Sequence, residues 1–323
     1  MDIGLALPHY EYSFGLPARF DIDAMLSCAA DADRMGFDSL WISDHFTLDL
    51  AKYGGPSTAF ETVELVAALG ALARVTSRAR IGSLVALEAI RPAALLAKSI
   101  ATIDQLSMGR CVLGLGAGWY EPDYTDIGMS MPSPGERVTR LGEALSVIDA
   151  LFVSVPGVSV TAGGQFHSVH GAVLTPRPFN ERKIPVIVGG KGDRVIDHSV
   201  RHADGWNTCW VWTLDAYRER LAVHDQACER HGVDPAGQHR SVGLYTLVGE
   251  NERDLKARFE RLRSSIPGVL DGVTLEEWRV GRLVGTVDEV REQIGAWSDL
   301  GVHEIILGLG SVPFHFAHTD DLE

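Results

Sequence analysis

Short apolar runs alternate with longer amphipathic segments along the whole chain. Runs of apolar and β-branched residues predict strands, and segments with an apolar residue at every third or fourth position predict helices. Because helix-forming sequence separates each strand from the next, we expect repeated βα units in a parallel sheet. The pattern predicts eight strands, at Ile3 to Leu7, Ser39 to Ile42, Ile81 to Ala86, Cys111 to Leu115, Pro185 to Val188, Gly205 to Cys209, Ser241 to Val248 and Glu304 to Leu307.

The helices are marked by their end residues as well as by their periodicity. Gly36 and Gly109 follow two of them as typical C-terminal stops. Thr286, with Glu289 three residues later, predicts a capping box at the start of the last helix. The clearest predicted helices are Ala24 to Met35, Pro92 to Leu106, Glu136 to Phe152, Leu214 to His231 and Val287 to Leu300.

Eight consecutive βα units predict an α/β fold of the (β/α)8 TIM-barrel class, although a doubly wound sheet also contains many such units. A chain of 323 residues fits one barrel domain, 1–323, that carries insertions. Three segments exceed the minimal repeat, near 120–134, 154–183 and 264–282, and their Pro, Gly and polar residues predict loops. On a barrel, the loops that follow the strands build the active site.

Composition narrows the class of protein. The chain is 46% hydrophobic and 22% charged, as in ordinary globular proteins. Its first residues enter a strand without the basic and apolar regions of a signal peptide, and no apolar run reaches the length of a membrane span. The four cysteines are far apart and form no CxxC pair, which disfavours disulfides and zinc sites. We therefore expect a cytoplasmic protein.

The balance of charge excludes several kinds of partner. A net charge of −14 repels nucleic acid and anionic membrane surfaces. We expect a small-molecule partner instead. If that molecule carries phosphate or carboxylate groups, cations must be placed locally at its site.

An Asp–His pair ends the second predicted strand, where a barrel keeps its catalytic groups. His45 can give or take a proton near neutral pH, and the adjacent Asp44 carboxylate could orient its ring. The alternative is that Asp44 caps a turn while His45 only packs. Taken alone, the dipeptide favours that alternative.

Glycines interrupt or follow two further strands. Gly82, in the third strand, suits either a bulge that approaches a ligand or tight barrel packing. After the fourth strand, Gly114, Gly116 and Gly118 permit close approach of a ligand to the backbone, or equally form a tight turn at the barrel rim. They do not open a dinucleotide-binding helix, because prolines interrupt the segment that follows.

The fifth strand runs into Gly189, Gly190 and Lys191, which precede a helix. Free N–H groups and the helix dipole attract anions, so this turn predicts a phosphate cradle, with a simple turn as the alternative. His167 and His170 lie in a Gly-rich insertion without the helical spacing or third ligand of a zinc site. We predict no metal site and expect both histidines to be exposed.

Several motifs, taken in order, resemble the luciferase-like superfamily. Each motif is modest alone, but their order and spacing are specific and cover nearly the whole chain. The resemblance implies the same barrel that the count of βα units predicts. The motifs are Gly36 to Trp41 with Ser43 to Phe46, Leu95 to Lys98 continuing to Leu106 to Arg110, Leu113 to Trp119, Val188 to Gly190, Ala203 to Asn207, and Gly285 with Thr286.

By this resemblance, a flavin or deazaflavin ring binds across the carboxyl ends of the strands. A bulge in the third strand would support the back of the ring, and in F420-dependent members it contains a non-prolyl cis peptide, which we expect between Leu84 and Val85. The turn from Gly189 to Lys191 would hold the cofactor phosphate. The implied cofactor-binding residues are Asp44, Ser83, Leu84, Val85, Gly116, Ala117, Gly118, Gly189, Gly190 and Lys191.

The residues of these motifs resemble those of F420-dependent members of the superfamily more than those of FMN-dependent members. FMN luciferases carry an Arg between the residues that match Gly116 and Gly118, where it serves the flavin phosphate, whereas this chain has Ala117. The Ser-Asp-His-Phe and Gly-Ala-Gly-Trp runs are typical of F420-dependent members. The family's sugar-phosphate dehydrogenases have a catalytic Glu where Trp119 stands here, which argues against glucose 6-phosphate chemistry.

The resemblance implies an F420-dependent oxidoreductase that transfers a hydride between deazaflavin C5 and a small organic substrate. His45, oriented by Asp44, would supply or take the proton, with Glu121 as a second candidate. The alternatives are an FMN-dependent monooxygenase supplied by a separate flavin reductase, and a non-catalytic flavin-binding barrel. The family also implies a homodimer. The expected substrate pocket contains Trp119, Tyr120 and Trp210.

Overall fold

Eight parallel strands close into a barrel in the computed structural model, which describes residues 1–317 and 319–322. Each strand pairs with the next along the chain, and the eighth returns to the first. The predicted (β/α)8 barrel is confirmed. The strands are β1 (Asp2–Ala6), β2 (Ser39–Ile42), β3 (Arg80–Ser83), β4 (Cys111–Gly116), β5 (Val186–Gly189), β6 (Gly205–Trp210), β7 (His239–Gly249) and β8 (Glu304–Gly308).

Helices cover the outer face of the barrel. The predicted stop at Gly36 is confirmed, since this glycine ends the first helix in the left-handed conformation with φ 102°. The predicted capping box is also confirmed, because the Glu289 carboxylate accepts from the Thr286 amide at 2.7 Å and from its hydroxyl at 3.0 Å. The helices are α1 (Ile22–Met35), α2 (Leu65–Val75), α3 (Ala93–Ser107), α4 (Pro134–Val153), α5 (Asp193–His202), α6 (Leu214–His231), α7 (Glu252–Ser265) and α8 (Val287–Asp299).

The order of elements departs from a simple repeat near the end of the chain. Both α7 and α8 lie between β7 and β8, and within residues 309–317 and 319–322 the structure shows only a short 3-10 helix, Thr319–Leu322. An additional strand, Leu283–Thr286, pairs in parallel with the outer half of β7. It is absent from the predicted strands because its last two residues, Gly285 and Thr286, carry the start signal of the helix that follows.

The barrel interior is filled by large side chains that need glycine neighbours. Trp41 on β2 is buried inside the barrel, and a Cβ on Gly82 of β3 would lie 2.5 Å from its ring. Of the two interpretations of Gly82, tight barrel packing therefore holds. Outside the barrel, the apolar faces of the helices cover the outward side chains of the strands.

The three long segments differ in structure. Segment 120–134 contains a short helix, Pro122–Thr125, and segment 264–282 contains another, Leu275–Arg279. Segment 154–183 forms an antiparallel hairpin beside α4. His167 of this hairpin is not exposed as expected, because it is largely buried and its Nε2 lies 2.8 Å from the Glu88 carboxylate. None of the helices in the described part of the chain combines the length and hydropathy of a membrane span.

Candidate active site

A cavity of about 450 Å³ opens at the carboxyl ends of the barrel strands. Of the three long segments, only the first contributes to its wall, through Trp119 beside it and Asp123 within it. Two stretches that the sequence analysis did not single out also line it, 48–53 after β2 and 313–314 after β8. The wall is rich in aromatic rings, which are Tyr10, Tyr53, Trp119, Trp210 and Phe314.

His45 lies on this wall and is held by a carboxylate from another loop. Its Nδ1 is 2.7 Å from Oδ2 of Asp123, which is buried, while Oδ1 of Asp123 accepts from the Phe46 amide at 3.0 Å. The edges of the Trp119 and Tyr120 rings pack against the imidazole. Because Nδ1 donates to Asp123, the Nε2 atom is left to exchange a proton with a molecule in the cavity.

Asp44 has a different partner, which corrects the expectation that it orients His45. Its carboxylate accepts from both Arg91 Nη atoms, at 2.6 and 3.1 Å, and from the Leu87 amide at 2.8 Å. Arg91 also pairs with Glu64. Burial raises the pKa of the Asp44 carboxyl, and Arg91 opposes that rise. Asp44 therefore fixes the segment after β3 to the end of β2.

The third strand is interrupted where the bulge was predicted. β3 ends at Ser83, pairing with β4 resumes at Ala86, and the peptide between Leu84 and Val85 is cis, as the resemblance implies. Leu84 and Val85 line the cavity. Ser83 does not, because it is fully buried and its Oγ donates to the Gly114 carbonyl at 2.7 Å. A second non-prolyl cis peptide joins Cys209 to Trp210.

The glycines of β4 and β5 accommodate the bulge of β3. A Cβ on Gly116 would lie 2.6 Å from Cγ2 of Val85, and one on Gly189 would lie 2.7 Å from its Cγ1. A Cβ on Gly114 would lie 2.0 Å from the Ser83 carbonyl oxygen. The sequence suggested ligand approach or a tight turn for Gly114 and Gly116, and a phosphate cradle or a simple turn for Gly189; none of these interpretations includes this packing.

The turn after β5 is anchored at its second glycine. The Gly190 amide donates to the Asn207 carbonyl at 3.0 Å, and its own carbonyl accepts from Trp206 Nε1 at 2.6 Å. Gly189, Gly190 and Lys191 all line the cavity. The following backbone amides, from 191 to 194, have no hydrogen-bond partner among the residues that the structure describes, and α5 starts there. Such amides at a helix start are suited to an anion.

Besides Ser83, two predicted site residues do not line the cavity, Glu121 and Tyr120. Glu121 is exposed and precedes the short helix that contains Asp123. The Tyr120 hydroxyl bonds Asp49 Oδ2 at 2.9 Å, and its ring packs on His45 rather than lining the cavity. In contrast, the cavity wall includes Trp119, Trp210, Ala117 and Gly118, whose predicted roles stay predictions.

A buried hydrogen-bonded chain joins the segment after β1 to the residue that follows β2. The Tyr10 hydroxyl is 2.5 Å from Ser43 Oγ, which is 3.0 Å from His9 Nε2, and His9 Nδ1 is 2.8 Å from the Leu7 carbonyl. Burial lowers the pKa of His9 to about 3, so the ring is neutral at pH 7. Its Nδ1 donates to Leu7, which leaves Nε2 to accept from Ser43.

Asp123 is the most important residue of the site that was not predicted from the sequence. Pro122 is the kind of residue that starts a helix, and this start places Asp123 in the first turn. That local pattern could have drawn attention to it. The sequence offered no comparable indication for Lys52, Tyr53 or Phe314, which reach the cavity through the paths of their loops.

Comparison with known proteins is consistent with this geometry. The model of the luciferase-like monooxygenase family matches residues 1–304. The chain is 31% identical, over 65% of its length, to an F420-dependent glucose-6-phosphate dehydrogenase of Kineococcus radiotolerans, and 32% identical, over 69%, to one of Microbacterium testaceum. It spans 58% and 62% of those proteins. A phthiodiolone/phenolphthiodiolone dimycocerosates ketoreductase of Mycobacterium tuberculosis is 26% identical, with 95% of this chain and 91% of that protein covered.

Solved structures share the fold at low sequence identity. An F420-dependent secondary alcohol dehydrogenase in complex with an F420-acetone adduct has a TM-score of 0.77 at 20% identity and covers 97% of this chain and 94% of its own. An EDTA monooxygenase from Chelativorans sp. has a TM-score of 0.76 at 16% identity and covers 100% and 92%. At these identities the likeness shows the fold alone.

Proposed function

This chain belongs to the luciferase-like monooxygenase family, and from that premise we propose that it is an F420-dependent oxidoreductase. It transfers a hydride between C5 of the deazaflavin and a small organic substrate. The observation that carries the proposal is the position of His45, held by Asp123 on the same cavity wall that contains the Leu84–Val85 bulge. A residue suited to proton exchange therefore lines the same cavity as the bulge against which we propose that the ring binds.

The choice of F420 over FMN is supported by the residue at position 117. Ala117 lines the cavity where FMN luciferases carry the Arg that serves the flavin phosphate. The two glucose-6-phosphate dehydrogenases that match this chain are F420-dependent by name, and they support the same choice. The alternative function is an FMN-dependent monooxygenase, and a comparison of F420 and FMN binding distinguishes the two.

The residues present fit a deazaflavin. The missing side chains at Gly116 and Gly189 let Val85 form an apolar floor to the cavity, against which a flat ring can lie. At one side, Lys191 and the unpartnered amides before α5 are suited to a phosphate. When bound there, the deazaflavin supplies or accepts the hydride at C5.

The chain's own residues would position the reactants and move the proton. The Asp123 carboxylate fixes the His45 ring through Nδ1, so that Nε2 can give a proton to a developing alkoxide or remove one from an alcohol. The aromatic wall would exclude water from the reacting atoms. Val85 and the turn at Gly190 would hold the cofactor in a fixed position relative to His45.

Glucose 6-phosphate is not the substrate we propose. Trp119 stands where the sugar-phosphate dehydrogenases have their catalytic Glu, and it is 45% exposed at the mouth of the cavity. An indole cannot take a proton from a sugar hydroxyl as a carboxylate does. Trp119 and Trp210 favour an apolar or aromatic substrate. Homodimerisation and a cytoplasmic location remain predictions.

The proposal is tested by titrating the purified protein side by side with F420 and with FMN, using their fluorescence. We expect saturable binding of F420 and at least tenfold weaker binding of FMN. His45→Ala should retain F420 binding and lose turnover by a factor of about 10² to 10⁴, the usual contribution of a proton-transfer residue. Tighter binding of FMN, or full turnover by His45→Ala, would contradict the proposal.

A further inference from the structure

Two lysines on the cavity wall, Lys52 and Lys191, have no acidic partner within the part of the chain that the structure describes. The other charged groups there are matched, since Asp44 pairs with Arg91 and Asp123 bonds His45. Among the described residues, no ion pair includes either lysine. The chain as a whole is acidic, with a net charge of −14, so two cations without acidic partners make this cavity locally positive.

Lys52 is placed at the mouth by aromatic contact and not by an acid. It lies in the 3-10 helix Ala51–Tyr53, and its Nζ is 3.6 Å from the centre of the Trp119 ring. The acid nearest in sequence, Asp49, already accepts from the Ala51 amide and from the Tyr120 hydroxyl, both at 2.9 Å. The ammonium group is therefore oriented without being neutralised.

Lys52 is exposed as a whole, and its surroundings at the cavity mouth act against its positive charge. Partial burial lowers the pKa of Lys52, and the charge of Lys191 lowers it further. Lys52 comes from the loop after β2 and Lys191 from the turn after β5, so two separate loops bring like charges together. An anion at the mouth would offset both the burial and the repulsion.

We infer that Lys52 binds an anionic group of the substrate, a carboxylate or a phosphate, while Lys191 serves the cofactor phosphate. The assignment of Lys52 to the substrate and of Lys191 to the cofactor rests on the proposed function. Trp119 contacts both Lys52, whose Nζ is 3.6 Å from the ring centre, and His45, whose ring centre is 5.6 Å away, so a single indole lies between or beside the two groups. The substrate's charge thus lies about one aromatic ring away from its reacting carbon, as in aromatic or unsaturated acids.

The test compares two ligands of the same shape and different charge. Benzoate and benzamide are titrated into the F420-saturated protein, and their dissociation constants are measured by isothermal calorimetry. We expect benzoate to bind about tenfold more tightly, as for a hydrogen bond to a charged group. Lys52→Gln should abolish this preference, and Lys52→Arg should retain it. Lys256→Gln is the matched control, because Lys256 is exposed on α7.

The ratio of the benzoate and benzamide dissociation constants shows whether Lys52 binds an anionic group of the substrate or of the cofactor. Loss of the benzoate preference in Lys52→Gln supports a substrate site. An unchanged ratio, no preference in the wild type, or no binding of either ligand overturns it. If Lys52→Gln weakens only F420 binding, Lys52 serves the cofactor and the inference fails. If the protein does not bind F420, the ratio is measured without it, and its dependence on Lys52 then stands while the proposed function fails.

Discussion

Asp123 and His45 are 78 positions apart in the chain, and His45 Nδ1 donates a hydrogen bond of 2.7 Å to Asp123 Oδ2. The same carboxylate accepts from the amide that follows the histidine, so both oxygens of Asp123 fix the end of β2. Asp44, adjacent in sequence, is turned toward Arg91. This arrangement divides two tasks between two carboxylates: one orients the imidazole, and the other holds the loop after β3.

Asp123→Asn should therefore impair proton transfer without disturbing cofactor binding. The amide removes the negative charge that favours the Nδ1–H tautomer, and we expect kcat/KM to fall by about 10²-fold in F420-coupled turnover. The F420 dissociation constant should stay within twofold of the wild type. Asp126→Asn, on the same loop, is the control. An Asp123→Asn enzyme with wild-type kcat/KM would show that Asp123 is only a structural residue.

Arg91→Met should destabilise the fold through Asp44. The substitution leaves a buried carboxylate without its cation, which costs about 3 kcal/mol in the free energy of unfolding. Urea denaturation followed by circular dichroism measures this loss. The double variant Arg91→Met with Asp44→Asn should recover part of it, because the stranded charge is removed. A double variant less stable than Arg91→Met alone would argue against the pairing as the cause.

Gly189→Ala should weaken cofactor binding by displacing Val85. The added methyl group would lie 2.7 Å from Val85 Cγ1, so the floor of the cavity must move. We expect the F420 dissociation constant to rise about tenfold, and Val85→Ala in the same chain to restore much of the affinity. Gly237→Ala is the control, since nothing lies within 4 Å of its Cβ position. Equal affinity in Gly189→Ala and the wild type would refute this packing role.

Stability should fall as the solution becomes acidic. Burial lowers the pKa values of His9 and His315 to about 3 in the folded protein, whereas the unfolded chain has the ordinary value of 6.5. Between these values the unfolded state binds more protons, so lowering the pH from 7 to 5 should cost about 2 kcal/mol for each histidine. Urea midpoints at the two pH values measure the loss.

His315→Asn should reduce this dependence on pH, whatever its effect on stability at pH 7. Substitution of the exposed His170 by Asn provides the control. An unchanged pH slope in His315→Asn would exclude burial of this ring as a cause of acid sensitivity.

The barrel could be predicted because the sequence patterns that indicate its strands and helices are local. Strand runs, the stop at Gly36 and the capping box at Thr286 each depend on neighbours within a few residues, and all are confirmed. The partner of His45 depends on how two distant loops meet, and adjacency in sequence wrongly favoured Asp44. The loops that carry Lys52 and Phe314 likewise reach the cavity through tertiary paths that no periodicity encodes.

The packing of Val85 against the glycines of two other strands has a consequence for redesign. Substitutions at positions 85, 116 and 189 are coupled, because a larger side chain at either glycine requires a smaller one at position 85. A mutational library that varies these positions singly would return mostly inactive clones. One that varies them together could reshape the cofactor floor while the rest of the barrel stays fixed.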